Sequence, residues 1–402
     1  MAEQGLPART VERAIAEVLA CLDPNGAPTS SLGLTPELAE YLRRAAMDAS
    51  GWGRFTARVL GRPRFSPQDL KAWLGRLARG GTVDLDARDA ENEWDVVATM
   101  SPRTRTALLD GMEPERFHQA VRVAAAVLQN TWLDADMYAQ DEWGGPMTEE
   151  TERSLFANLR ALRAVAGDRL VQPEACELLH WVGYHYRDSP RHSPAEHVAY
   201  LDDLLTTTES LLGAEHHSTL RIQSELGEAH GRAGDNEAAS ALHERVLTNR
   251  RTTLGPNHPE TLDAMGLLGG SRRATGQLDE AAELLERAVS GLRDSAGPTA
   301  LELDRHRDAL VDTYRDLGRA DDALALRHEY VAAVEKRFGA SHPMTLGARN
   351  ELAATFAALR RRHDAEREYR AVLDIVADQD RPATSADPEL VTEARKGLAE
   401  LG

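Results

Sequence analysis

The chain has 402 residues, with 65 acidic and 47 basic side chains for a formal charge of -18, and is 42% hydrophobic and 28% charged. That length predicts two or three domains of roughly 150 residues, and that balance excludes a collagenous or disordered chain and opposes wholesale wrapping by nucleic acid or anionic membrane. Two cysteines, Cys21 and Cys176, are too few for a disulfide scaffold or a four-thiolate zinc site, so a reducing cytoplasm is the expected location.

The first residues, MAEQGLPART, have neither a basic n-region nor an apolar core, and the longest strongly apolar run is Val123 to Leu128. Neither a signal peptide nor a membrane span is expected. Residues 1–145 read as a helical N-terminal domain with helices over 8–22, 36–49, 54–60, 67–79, 102–110 and 114–130. Thr35-Pro36, Ser66-Pro67 and Ser101-Pro102 each look like a cap followed by proline in the first helical turn, and Ser66 with Asp69 forms a capping box. All six tryptophans fall between Trp52 and Trp181, which argues for a conventionally packed core here, distinct from the C-terminal half of the chain.

Residues 43–79 carry nine basic side chains against only Asp48 and Asp69. Such a reversal inside an acidic chain presents a candidate nucleic-acid surface, with Arg58, Arg62, Arg64, Lys71 and Arg76 as its phosphate contacts. A solvated helical face, or a dock for the acidic segment 84–95, accounts for the same charges. Asp84, Asp86 and Asp95 imitate a calcium loop but lack the glycine at position six and the closing glutamate, so this segment reads as a connector. Residues 146–171 are expected to form a connecting helix or linker.

Nine of the 14 histidines lie between His180 and His258, yet His180 and His185 are five apart and no HExxH-type set accompanies them. Neither a metal nor a cofactor is expected. Phosphate-loop and serine-hydrolase motifs are likewise absent, and Cys176 with His180 reads as packing before it reads as a nucleophile and base.

From residue 172 the chain becomes periodic. LGAEHHSTL, LGPNHPETL and FGASHPMTL begin at 212, 254 and 338; Gly234, Gly276 and Gly318 recur every 42 residues, as do Ala239, Ala281, Ala323 and Ala365. Between these landmarks apolar residues recur three and four apart, the mark of two antiparallel helices per unit. Gly255 suits a positive φ at a helix end, Pro259 suits a first turn, and His216, His258 and His342 stand where side chains cap helix starts. Residues 175–213 form an atypical first unit, and 387–401 supply one helix to cover the last open flank.

This pattern resembles tetratricopeptide repeats of a long, 42-residue variety, similar to those of kinesin light chains and many bacterial proteins. The resemblance implies an all-α chain: the helical N-terminal domain, then over 172–402 a right-handed superhelical array with a C-terminal capping helix. It also implies a concave groove lined by the first helix of every pair and used to bind protein or peptide. Its carried-over positions give Arg221, Arg232, Arg273, Arg305, Arg315 and Asn350 as peptide-binding residues, with Glu228, Asp308, Asp312 and Asp316 setting the register of an acidic ligand. In the last unit Gly347, Asn350, Ala354, Ala357 and Ala358 should make a small, weakly polar surface.

A noncatalytic recognition scaffold is therefore the leading expectation. A peptide-responsive transcription regulator with a DNA-binding N-terminal domain, and an unusual helical enzyme with its site at the domain junction, stand beside it.

Overall fold

The computed structural model describes residues 11–23, 26–28, 35–49, 66–87, 96–138, 149–172, 176–296, 301–377 and 388–401. The helix expected over 54–60, and with it Arg58, Arg62 and Arg64, lies outside the described residues. By packing, the chain divides into two units: Met1–His192 with Asp203–Thr219, and Ser193–Asp202 with Leu220–Gly402.

The first unit holds α1 (Val11–Cys21), α2 (Pro36–Ala49), α3 (Pro67–Arg79), α4 (Pro102–Asp110), α5 (Pro114–Tyr138), α6 (Glu149–Ala166) and α7 (Glu177–Asp188). Its core forms around α1, whose residues Ala14 to Cys21 are all buried because α2, α3, α4, α5 and α6 surround it. A helix closed in on every side should be apolar all round. Here the sequence AIAEVLAC departs from that rule at a single place, Glu17. The caps read from sequence are present: the Ser66 hydroxyl accepts from the Asp69 amide while the Asp69 carboxylate accepts from the Ser66 amide, and Ser101 accepts from Thr104. Cys21 and Cys176 are both free and buried, and burial pushes the Cys21 thiol up to about 12.

The predominantly helical reading holds with one addition. Strands β1 (Ala27–Pro28), β2 (Asp84–Ala87) and β3 (Val96–Thr99) form an antiparallel sheet in the order β1-β3-β2. The acidic segment read as a connector thus begins as a strand, with Leu85 opposite Ala98 and with Asp84 and Asp86 exposed. Charged side chains on a short edge strand discourage further strand addition.

In the second unit, which takes α9 from Leu220 on, helices follow one another as stacked pairs: α9 (His217–Ala233) with α10 (Asn236–Thr253), α11 (Pro259–Ala274) with α12 (Leu278–Ala296), α13 (Leu301–Asp316) with α14 (Ala320–Phe338), and α15 (Pro343–Ala358) with α16 (Arg362–Ala377). The preceding helix, Pro194–Leu212, is α8 and is divided between the two units. The first helices α11, α13 and α15 each pack on the pair before them, so one core cluster runs from Leu220 through Leu285 to Ala323 and the next holds Val334 and Phe356. Ala239, Ala281, Ala323 and Ala365 are all buried where helices approach closely. This is the tandem packing of a superhelical array. The terminal α17 (Pro388–Leu401) lies against both α15 and α16, as α13 lies against α11 and α12. It takes the place of a further first helix. Among the described residues no helix is long and apolar enough to cross a membrane.

The histidines of the linkers are caps. The Nδ1 atoms of His216, His258 and His342 accept from the amides of Ser218, Glu260 and Met344 at 3.2, 3.3 and 3.2 Å. Within the pairs the chain turns through Gly234, Gly276 and Gly318 at φ of 87, 80 and 73°; the fourth position of that series is Arg360, at φ 60°. A side chain in the left-handed region costs about 1–2 kcal/mol. Arg360→Gly is therefore expected to stabilise the array by about 0.5–1 kcal/mol after the extra freedom of glycine in the unfolded chain is counted. A denaturant midpoint unchanged or lowered in this variant would show that Arg360 makes compensating contacts.

Candidate recognition surface

The first helices α9, α11 and α13 carry the arginines singled out by the repeat register, and Arg221, Arg273, Arg305 and Arg315 are engaged by carboxylates of the array. Arg221 lies 3.2 Å from Glu225 on its own helix, while Arg232 lies 3.2 Å from Nδ1 of His197 on α8. Arg273 reaches Asp316 at 2.7 Å and Asp312 at 3.5 Å, and Arg315 holds the other oxygen of Asp312 at 2.7 Å. Arg305, on α13, bonds Asp263 on α11 and reaches Glu228 on α9 at 3.0 Å. Two groups therefore form, Arg273-Asp312-Arg315-Asp316 and Arg305-Asp263-Glu228.

Asn350 stands apart. It is fully buried, and its amide donates to the carbonyl of Leu390 at 3.0 Å and to Glu393 at 3.2 Å, while Gly347 faces Leu390. The sequence reading put both on open groove surface. Both lie on α15, and α17 packs over that face.

Asp263 is the electrostatic centre of the surface. His306 Nε2 lies 2.9 Å from the same oxygen that Arg305 engages, and Arg250 approaches the other at 3.8 Å. Burial by itself would raise the Asp263 carboxyl, but the hydrogen bond from His306 and the guanidinium of Arg305 outweigh it and hold the group well below the ordinary carboxylate range. A depressed folded value means that the stabilisation is complete above the unfolded value of about 4 and drains away as pH falls below it. Wild type is expected to exceed Asp263→Asn in stability at pH 7, with the gap narrowing below about pH 4. A gap constant down to pH 3 would show that the charge on Asp263 contributes nothing to folding.

Imidazoles replace the usual apolar contacts at two places. His243 is buried against Gly227, with Nδ1 2.8 Å from the Ser271 hydroxyl and Nε2 3.2 Å from the Ser224 carbonyl; burial lowers its basicity. His306 fills the space beside Gly266.

The basic patch of the first unit is partly neutralised by residues outside its sequence window. Arg43 and Arg44 both pair with Glu40, at 2.6 and 3.3 Å, and Arg76 pairs with Glu12 at 2.8 Å. Lys71 and Arg76 sit exposed on α3. Cys176 is buried with its thiol raised by desolvation, opposite to what a thiolate nucleophile needs.

One cluster in the first unit had no signature in the sequence. Glu152, on α6, takes His185 Nε2 at 2.7 Å and His192 Nε2 at 2.9 Å on one oxygen, and Arg191 at 3.0 Å on the other. Burial opposes ionisation of Glu152, but hydrogen bonds from both imidazoles prevail and keep its carboxyl below the ordinary value. His180, the partner considered from sequence, is buried and not one of the three clustered groups.

A tetratricopeptide-repeat family model matches residues 218–294, the span of α9 to α12. Among curated proteins, the FO synthase of Streptomyces avermitilis is 30% identical over 138 residues, 33% of this chain; the match spans 16% of that protein's length. Among solved structures, the nearly identical TPR-like repeats of a putative kinesin light chain from Podosopora anserina are 27% identical, over 51% of this chain and 97% of that one, with a TM-score of 0.45. BtubC (BKLC) from P. vanneervenii is 17% identical over 52% of this chain and 83% of that one, with a TM-score of 0.41. The repeat match, with the tandem packing of the helix pairs, supports a general protein- or peptide-binding scaffold role for this part of the chain.

Proposed function

We propose that the second unit recognises a protein or peptide segment laid along the face of α9, α11 and α13. The observation that carries this reading is Arg305, whose guanidinium on α13 reaches Glu228 on α9, two helix pairs earlier. Packed helices stand about 8–10 Å apart. Side chains two pairs apart meet where the array bends inward and the first helices line the inside of the bend, so this face is a groove able to enclose an extended segment.

The pairing of the arginines also shapes the ligand chemistry. Arg273, Arg305 and Arg315 keep 34, 48 and 36% of their side chains exposed, yet each already holds a carboxylate. An acidic group of the partner binds here by exchange with Asp316, Glu228 or Asp312. Exchange of one carboxylate for another yields little net Coulomb energy, so these pairs set register and association rate, and affinity rests on the area buried along the groove.

The test is to recover a partner by affinity capture with the full chain and to map it by photo-crosslinkers. Gly270, where an added side chain would meet nothing within 4 Å beyond its own helix backbone, and the exposed Ala354 report the groove; the exposed Glu283 and Arg287 on α12 report the outer helices. Crosslinks from the first pair of positions are expected, with Arg305→Ala and Arg273→Ala slowing association and altering its salt dependence at a cost under about 1 kcal/mol each. Crosslinks from α12 alone, with both variants binding at wild-type rates, would overturn the groove reading.

A further inference from the structure

The cluster at Glu152 belongs to the first unit, and its chemistry points to a different ligand. We propose that Glu152, His185 and His192 form a binding site for a divalent transition-metal ion of the zinc class, held by the Glu152 carboxylate and the two Nε2 atoms. The three donors come from α6, from the last turn of α7 and from the turn beyond it, so no helical periodicity brings them together. They lie within 4.8 Å of one another, and both imidazoles already aim Nε2 at a single carboxylate oxygen. Tetrahedral bonds of about 2.1 Å place donor atoms roughly 3.4 Å apart. Opening the 2.7 and 2.9 Å contacts by about 0.7 and 0.5 Å makes room for the ion.

The surroundings suit such a site. Glu152 and His185 are buried, and the rings are fixed by aromatic packing: Phe156 lies 5.9 and 5.5 Å from the rings of His185 and His192, and Tyr186 lies 4.5 Å from His192. An apolar shell of this kind orients ligands and lowers the ordering cost of binding. His192 keeps 17% of its side chain exposed, so the cluster meets solvent on that side, where water can complete the coordination. Two imidazoles and one carboxylate favour zinc, cobalt or nickel over magnesium and calcium, which want oxygen ligands. Ligation requires each neutral imidazole to carry its proton on Nδ1, a tautomer exchange that leaves the proton count unchanged.

Arg191 supplies the discriminating feature. Its guanidinium occupies the second oxygen of Glu152 at 3.0 Å and is 40% exposed, so it competes with a cation for the same carboxylate and can withdraw into water. A purely structural ion cluster is weakened by losing Arg191; a metal site is strengthened.

The full chain, stripped with chelator, is titrated with Co²⁺ followed by its visible absorption, and with Zn²⁺ against a chromogenic competitor and by thermal midpoint. One ion per chain is expected. Glu152→Gln and His192→Ala should each weaken binding beyond the roughly 10- to 100-fold that loss of an outer-sphere partner costs. Arg191→Gln should tighten it about threefold or more, by removing one positive charge. Circular dichroism of the metal-free variants checks folding, and the partly exposed His192 and Arg191 decide the matter should Glu152→Gln not fold. Absence of stoichiometric uptake by wild type, or uptake that His192→Ala leaves unchanged, would overturn the proposal, as would weaker binding in Arg191→Gln.

Discussion

Glu17→Ala is expected to destabilise the first unit by about 3–5 kcal/mol, the cost of breaking a charged network whose carboxylate is fully buried. Glu17 is fully buried in the middle of α1, where its carboxylate accepts from Arg13 at 2.9 Å, Arg116 at 2.7 Å and the Tyr41 hydroxyl at 3.0 Å. Alanine there takes the carboxylate from two guanidiniums that are 20 and 25% exposed, and among the described residues the Arg116 Nη2 has no hydrogen-bond partner. Glu17→Gln keeps the volume and one acceptor and should cost less. Glu12→Ala, which breaks the exposed pair with Arg76, should cost under about 1 kcal/mol. All six tryptophans precede residue 192, so tryptophan emission during denaturant unfolding reads this unit selectively. A loss no larger for Glu17→Ala than for Glu12→Ala would mean that Arg13 and Arg116 find water when the carboxylate is removed.

The second large effect is expected in the array, and its sign should reverse with one neighbouring residue. A Cβ added at Gly266 would lie 2.2 Å from Nδ1 of His306 and 2.5 Å from two of its ring carbons. That imidazole is 2% exposed and hydrogen-bonded to Asp263, so it cannot move aside without losing the bond and finding new space. Gly266→Ala should therefore cost about 3–5 kcal/mol, the sum of an overpacked core and a broken charge-assisted hydrogen bond. In a His306→Ala background the obstruction is gone. There Gly266→Ala should be neutral or stabilise by about 1 kcal/mol, because alanine prefers the helix to glycine by that amount. The array phase of the far-ultraviolet circular dichroism melt measures both, and additive effects in the double variant would show that the two residues do not share this space.

Much of the array was legible because its landmarks act over a single turn of chain. A positive φ at Gly276, a proline at the first turn of α11 and a histidine capping the amide two residues on are decided by residues adjacent in sequence. Their recurrence every 42 residues therefore translates directly into helix pairs. The buried alanines follow from helical periodicity in the same way, and the caps at Ser66 and Ser101 are equally local. Arg360 shows that period outranks residue type: it adopts the left-handed conformation because the hairpin turn at that place demands it, although arginine does not favour it.

Partners across space have no such period. Strands of two and four residues are too short to alternate visibly, and β1 finds β3 about 70 residues away. Glu12 and Glu40 fall outside the basic window in sequence yet neutralise part of it in the fold, and every groove arginine engages a partner that the repeat register could not name. Asn350 occupies the expected helix but is covered by α17, 40 residues further on. Glu152, His185 and His192 converge from three elements with no motif spacing between them. Local backbone preference is written in neighbouring residues, so the sequence alone determined the repeating helix pairs and their turns. The choice of which charges meet, and which surface remains open, depends on packing between segments whose separation along the chain carries no signal, and it was settled only when those segments folded together.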